Sequence, residues 1–200
     1  MKKLLPVIAL VLMVGCTSEA PKPAEKPQPK GPELVTGRTA FQKLYVAARG
    51  WARDAQPYRL ESQPSADSKG LDGKTDVWRA SFASAAQRGV KPYTWSGTDA
   101  GDAPSRGVNP GTEDNYNPSN SSTQVFDVSF LKIDSDKAFE VAQQHGGDKI
   151  LEKTPDTVVH YALDWNHANN QLVWHVSYGA GLTLLVDVDA STGNFIRVQK

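Results

Sequence analysis

The stretch VWHVSY at residues 173–178 has a near copy, VWRASF, at residues 77–82. Alternation of apolar and polar residues with a period of two is typical of a β-strand that buries one face. A second pair of segments, AFQ at residues 40–42 and AFE at residues 138–140, is separated by nearly the same offset. Matching segments at one spacing indicate an internal duplication.

A helical pattern begins at each of the two AF triplets, and alternating segments follow it. Phe41, Leu44, Tyr45 and Ala48 lie on one helix face, and the second helical pattern ends at the glycine pair of residues 146–147. The predicted strands cover residues 58–63, 77–84, 90–95 and 124–133 in the first half, and residues 157–165, 172–178, 183–189 and 194–198 in the second half. The sequence therefore predicts an α+β fold of two tandem units, each with one helix packed on one face of a four-stranded antiparallel sheet.

Burial determines the expected strand pairing in the second half. Leu163 belongs to the apolar face of one strand and Trp174 to that of the next, so the two residues should lie opposite each other across a four-residue loop at residues 167–170. The same reasoning places Trp174 opposite Val186 and Val173 opposite Asp187. The alternate residues of these strands then lie on the face that the helix does not cover.

Three segments of the second half resemble a PepSY domain. They are the helix SDKAFEVAQQHGG at residues 135–147, the strand LVWHVSY at residues 172–178 and the closing LLVDVDASTGNFIRV at residues 184–198. In that family a short helix precedes strands with a W-x-V element and a final Val-Asp-Ala-x-Thr-Gly hairpin. The resemblance covers residues 134–200 and reaches residues 37–133 only through the repeat, because the first unit lacks the Asp-x-x-Thr-Gly turn.

The resemblance implies a function as well as a fold. PepSY domains are regarded as non-catalytic binding or inhibitory modules of the cell envelope. A tandem of such units is also similar to the β-lactamase inhibitor protein fold, which binds proteins on a concave sheet face. The expectation is therefore a module that binds a protein or peptide and is not an enzyme.

The first residues predict export and lipid attachment. Two lysines, a short apolar run and Gly15 before Cys16 form the layout of a signal peptide at residues 1–15. The segment resembles the lipobox of bacterial lipoproteins, in which a cysteine such as Cys16 is acylated and anchors the chain in the membrane. Thr17 after the cysteine favours, by resemblance to sorting rules, the outer membrane facing the periplasm in a Gram-negative cell. Cys16 is the only cysteine of the chain, so a disulfide within the chain is excluded.

The chain is expected to have three parts after the signal peptide. Residues 16–36 form a proline- and lysine-rich tether, which composition predicts to be extended. The first unit covers residues 37–133, with a long loop at residues 97–123, and the second covers residues 134–200. The formal net charge is zero, so the chain lacks the excess of positive charge that is typical of proteins that bind nucleic acid.

Candidate functional residues lie on the open sheet face and in the long loop. Those predicted to bind a partner are His160, His175, Ser177, Asp187 and Tyr116. An alternative is a metal site formed by the two histidines and the aspartate, since imidazole and carboxylate groups are common metal ligands. A further alternative is a polar, solvated face of a structural envelope protein. No cofactor is expected.

A turn near the C-terminus faintly resembles a calcium loop. The segment VDVDASTGN at residues 186–194 lacks the bidentate glutamate that such a loop requires. We therefore interpret Asp189, Ser191 and Gly193 as turn residues, with side chains that bond the local backbone and a glycine at positive φ.

Overall fold

The computed structural model describes residues 31–180 and 183–199. The α-helices are α1 (Gly37–Trp51), α2 (Ser135–Ala142) and α3 (Asp148–Lys153), with a π-helical turn Gln143–Gly147 between the last two. Short 3₁₀ helices occur at Leu71–Gly73, Ser121–Thr123 and Val128–Phe130. The strands are β1 (Val35–Thr36), β2 (Gln56–Ser62), β3 (Lys74–Thr75), β4 (Val77–Ser84), β5 (Gly89–Ser96), β6 (Gly107–Pro110), β7 (Asp114–Asn115), β8 (Val159–Asn166), β9 (Gln171–Tyr178), β10 (Leu184–Asp189) and β11 (Phe195–Gln199). The predicted signal peptide, the lipidation site Cys16 and tether residues 16–30 lie outside the described residues.

One antiparallel sheet of nine strands dominates the structure. Its strand order is β11-β10-β9-β8-β2-β4-β5-β6, with β7 also paired to β5, and β1 and β3 form a separate small sheet. The prediction of two tandem units, each with its own four-stranded sheet, is therefore wrong. Strand β2 pairs with β8, with Leu60 opposite Leu163. This pairing satisfies the backbone groups of two strands that would otherwise be open edges, so both halves of the chain share one sheet.

The core lies between this sheet and the helices. Helix α1 turns Ala40, Phe41, Leu44 and Ala48 inward, which follows the apolar spacing of its sequence. Helix α2 buries Ala138, Phe139 and Ala142 in the same hydrophobic cluster. Strands β2, β4, β8, β9 and β10 present alternate residues to these helices. The opposite face of the sheet is not covered by α1, α2 or α3.

Two fully buried tryptophans join the halves at the centre of the core. The rings of Trp78 and Trp174 lie with centroids 6.4 Å apart at an interplanar angle of 72°. Each indole N–H donates a hydrogen bond of 2.9 Å to a backbone carbonyl, Trp78 to Val35 and Trp174 to Ile133. Both carbonyls lie two residues before a helix begins, so each tryptophan fixes the entry of the chain into a helix.

The N-termini of α1 and α2 share their capping groups. Asp134 is the N-cap of α2, and its Oδ1 accepts a hydrogen bond of 2.7 Å from the backbone of Ser135 and one of 2.8 Å from the backbone of Arg38. The hydroxyl of Ser135 accepts a bond of 2.8 Å from the backbone N–H of Gly37. Because these N–H groups have no partner within their own helix, the two helix starts stabilise each other.

Two local predictions are also wrong. Residues 124–133 do not form a strand: Phe126 and Leu131 are buried in the core, so the segment packs across it, and β6 from the predicted loop pairs with β5 instead. The second helical run does not end at residues 146–147. Gly146 takes a φ of +114° inside the π-helical turn, and the chain then continues into α3.

Substitution of two glycines of α1 tests how closely the tryptophan rings pack against this helix. A Cβ added at Gly37 would lie 2.7 Å from a ring carbon of Trp174 and 3.0 Å from one of Trp78, whereas nothing lies within 4 Å of a Cβ at Gly50. We expect Gly37→Ala to lower the free energy of unfolding by about 1–3 kcal/mol through overpacking. Gly50→Ala should raise it by about 0.5–1 kcal/mol through helix propensity. Urea denaturation measures both; equal effects of the two substitutions would contradict the packing described.

Candidate functional site

The open sheet face brings together the polar side chains predicted on β8, β9 and β10. His160 lies opposite Ser177, and Ala162 lies opposite His175. The predicted pairing of Leu163 with Trp174 across a four-residue loop is confirmed.

The predicted pairing of β9 with β10 is wrong by two residues. Trp174 lies opposite Val188 rather than Val186, and Asp187 lies opposite His175 rather than Val173. This pairing still keeps both valines buried in the core. Its consequence on the other face is that the carboxylate of Asp187 lies beside the imidazole of His175.

His175 is held between two carboxylates. Its Nδ1 is 2.6 Å from Oδ1 of Asp187, and its Nε2 is 3.2 Å from Oδ1 of Asp164. Burial by itself would lower the pKa of His175, but the hydrogen bonds and charges of the two aspartates outweigh burial and raise the pKa to about 9. His175 is therefore protonated at neutral pH, and both ring nitrogens donate hydrogen bonds.

Each of these carboxylates also binds an arginine. Nη1 of Arg59 on β2 donates to Oδ2 of Asp164 at 2.7 Å, and Nε of Arg197 on β11 donates to Oδ2 of Asp187 at 2.8 Å. Burial alone would raise the pKa of Asp187, whose side chain is only 2% exposed, but hydrogen bonds from His175 and Arg197 lower it below the ordinary value. The positive and negative groups therefore alternate across the sheet.

The series of ion pairs continues at both ends. Nε of Arg59 donates to Oε2 of Glu61 at 2.8 Å, and Nε2 of Gln199 donates to both carboxylate oxygens of Asp187 at 3.0 and 2.8 Å. We call this set the ion ladder; its members are Glu61, Arg59, Asp164, His175, Asp187, Arg197 and Gln199. With His175 protonated, the ladder has three positive and three negative groups and is neutral.

A depression of about 320 Å³ lies beside the ion ladder. Ala162 has the smallest side chain of the residues that line it. The other lining residues are Arg59, Glu61, Ser62, His160, Tyr161, Asp164, His175, Ser177 and Leu185. We call this the seam depression, because β2 and β8 meet there.

Two of the lining groups retain free hydrogen-bonding capacity. Among the described residues, neither the imidazole of His160 nor the hydroxyl of Ser177 has a hydrogen-bond partner. Burial lowers the pKa of His160 below its ordinary value, so its ring is neutral at pH 7 and presents one donor and one acceptor. These side chains, opposite each other on β8 and β9, are available to a ligand.

A second depression of about 250 Å³ adjoins the first. Arg59 and Asp164 line both depressions, so their ion pair separates them. Ser121, Ser122 and Gln124, from the end of the long loop and just beyond it, complete its wall together with Tyr58 and Trp165. The two depressions therefore form one surface along the β2–β8 seam.

Tyr116 and the C-terminal turn lie apart from the seam depression. The backbone N–H of Tyr116 donates to the carbonyl of Arg88, and its side chain does not line either depression. Oδ1 of Asp189 accepts hydrogen bonds from the backbones of Ser191 and Thr192 at 2.7 and 2.9 Å.

The two other predicted turn residues have different roles. Gly193 takes a φ of +79°. The hydroxyl of Ser191 bonds the distant carbonyl of Phe130 at 2.8 Å, and not the local backbone. This contact attaches the turn to the segment that precedes α2.

Sequence reasoning missed the arginines of the site. Arg59 and Glu61 flank the buried Leu60 on β2, and Arg197 and Gln199 alternate on β11. Period-two alternation could have placed these residues on the open face. Their contacts with β8 and β10 could not be read from sequence, because they depend on which strands are neighbours.

The geometry gives no support to a metal centre. Both ring nitrogens of His175 already bind carboxylates. Within residues 31–180 and 183–199, no group of three His, Cys, Asp or Glu side chains could hold a metal ion. In the same ranges, no helix has both the length and the apolar character needed to cross a membrane.

Comparisons with known proteins give no relative. A scan against models of protein families, a search of curated proteins and a search of solved structures found no match to this chain. The functional argument therefore depends on the residues of the site.

The raised pKa of His175 predicts how stability depends on pH. Between pH 6.5 and about 9 the folded chain keeps a proton on His175 that the unfolded chain releases. The free energy of unfolding should therefore fall as pH rises through this range, by up to about 3 kcal/mol. Urea denaturation at pH 6.5, 7.5 and 8.5 measures the fall. His175→Gln removes the titrating group and should flatten the profile; an unchanged slope in this variant would contradict the assignment.

Proposed function

We propose that this chain is a non-catalytic binding module that holds a protein or peptide on the open face of its sheet. The observation that carries the proposal is the pair of adjoining depressions along the β2–β8 seam. His160 and Ser177 line the first of them and have no hydrogen-bond partner among the residues described. A ligand seated there would satisfy groups that the folded chain leaves unpaired.

The shape of the site favours a polypeptide over a small molecule. Pockets for small ligands usually enclose about 300–1,000 Å³ and bury most of the ligand. The two depressions have about 320 and 250 Å³ and lie side by side on an open sheet face. Successive side chains of an extended chain could occupy them, with its backbone following the seam.

The ion ladder supports binding by making the surface rigid. Each carboxylate of Asp164 and Asp187 accepts hydrogen bonds from both an arginine and His175. Side chains that are fixed before binding lose less conformational entropy when a partner arrives. The seam depression therefore has preformed walls, which is a property of a recognition surface.

The first residues support placement in the cell envelope. In the proposal, acylated Cys16 anchors the chain in a membrane, and residues 16–30 act as a tether. The predicted tether is shortened at its end because Val35–Thr36 form β1 and the backbone N–H of Glu33 donates to the carbonyl of Gly97. At about 3.1 Å per residue, a proline-rich segment of this length would hold the sheet roughly 45 Å from the lipid surface. The partner would then be another envelope protein, which the module would inhibit or regulate.

Crosslinking in cells tests the proposed surface. A photoreactive amino acid placed at Ser177 of the full chain should give a discrete crosslinked species, because this side chain lines the seam depression. The same group at Val46, which is 74% exposed on α1, serves as the control and should give none. Adding Ala162→Leu should fill the depression and reduce the Ser177 product several-fold. Equal products from both positions, or none from Ser177, would refute a binding role for this face.

A further inference from the structure

Arg79 lies on the open face in the same row as the seam depression. On β4 it is opposite Glu61 of β2 and opposite Thr94 of β5. On the other side of β2, Glu61 is opposite Ala162, which lines the seam depression. Two strand spacings separate Arg79 from Ala162, which is about 10 Å.

Arg79 has no ion-pair or hydrogen-bond partner for its guanidinium among the residues described. Its side chain is half-buried in the middle of the sheet. The nearest candidate is Glu61, but a carboxylate oxygen of Glu61 is bound by Nε of Arg59 at 2.8 Å. A guanidinium in this position is partly desolvated and gains less from water than an exposed one.

The charge count of the ion ladder leaves Arg79 as a neighbouring cation without an acid of its own. The ion ladder is neutral with His175 protonated, so its acids are balanced by its own basic groups. Adding Arg79 gives the ladder and its neighbour one net positive charge. Complementary charge on a partner would be negative at this point.

We propose that Arg79 binds a single carboxylate of the partner polypeptide, an aspartate or glutamate side chain. This inference rests on the proposed function and specifies the chemistry of the partner. The planar guanidinium donates two parallel hydrogen bonds to a carboxylate, an arrangement that fixes position as well as charge. A residue of the partner seated over Ala162 would thereby bring a neighbouring acidic side chain to Arg79.

A carboxylate fits this place better than a phosphate group. A phosphate carries about −1.5 to −2 charges at pH 7. The arginines and the histidine of the ion ladder already bind carboxylates, so a second negative charge would meet no free cation among them. It would also lie near the carboxylate of Glu61 on the adjacent strand. The single guanidinium of Arg79 is therefore matched by a ligand with one negative charge.

Three peptide pools test the inference. Each pool contains immobilised octapeptides with randomised flanks and one fixed central residue, glutamate, glutamine or lysine. The full chain should be retained about ten-fold more by the glutamate pool than by the glutamine pool, and least by the lysine pool. Arg79→Gln should remove the preference for glutamate, and Arg79→Lys should restore part of it.

Matched controls separate charge at this position from charge in general. Arg53 is exposed just beyond α1, and Arg53→Gln removes the same charge at a distance from the open face. This variant should keep the full preference for the glutamate pool. Denaturation midpoints of the three variants show whether the fold is retained, and Arg79→Lys keeps the cation if Arg79→Gln is unstable.

The outcomes distinguish this inference from the proposed function. Equal retention of the glutamate and glutamine pools, or a preference that survives Arg79→Gln, overturns the carboxylate anchor. If the pools are retained equally and Ala162→Leu abolishes their retention, the binding face is supported but the contact between Arg79 and a carboxylate is not. Retention of all pools at background level also refutes the contact between Arg79 and a carboxylate. The crosslinking experiment at Ser177 then tests the proposed function separately.

Discussion

The contact between Trp78 and Trp174 is the constraint on which the rest of the structure depends. Each ring is fully buried, and each indole N–H binds a carbonyl just before a helix, at Val35 or at Ile133. A buried indole N–H without an acceptor would cost about 1–3 kcal/mol, which favours helix starts that present these carbonyls to the two rings. Because the rings meet over Gly37, the two helices and the sheet must assemble together.

The site is a consequence of this shared core. With both tryptophans in one cluster, β2 and β8 lie side by side, and Arg59 comes opposite Asp164. Two separate sheets would leave Asp164 without its arginine. His175 would then have a neighbouring carboxylate whose charge is less well compensated. The pairing of β2 with β8 thus completes the core on one face and the ion ladder on the other.

The period-two pattern of the sequence predicted which face of the sheet each residue occupies, but not the register of the strands or which distant strands are neighbours. Alternation correctly placed His175 and Asp187 on one face, but a slip of two residues leaves every side chain on its own face. Burial could not therefore separate Val186 from Val188 as the partner of Trp174. The fold class failed for a related reason: Arg59 and Asp164 are 105 residues apart, and no local pattern shows that their strands pair.

The polar face also limits what the proposed binding surface can recognise. Charges that are already paired contribute little to a new contact, because a partner must compete with an existing hydrogen bond for each of them. In the proposed function the ion ladder therefore acts as a wall. Recognition would then depend on groups that have no partner among the residues described, such as the neutral His160, the hydroxyl of Ser177 and the cation of Arg79. Since these lie around Ala162 and Glu61, the small side chain at position 162 would determine whether the proposed partner can reach all three.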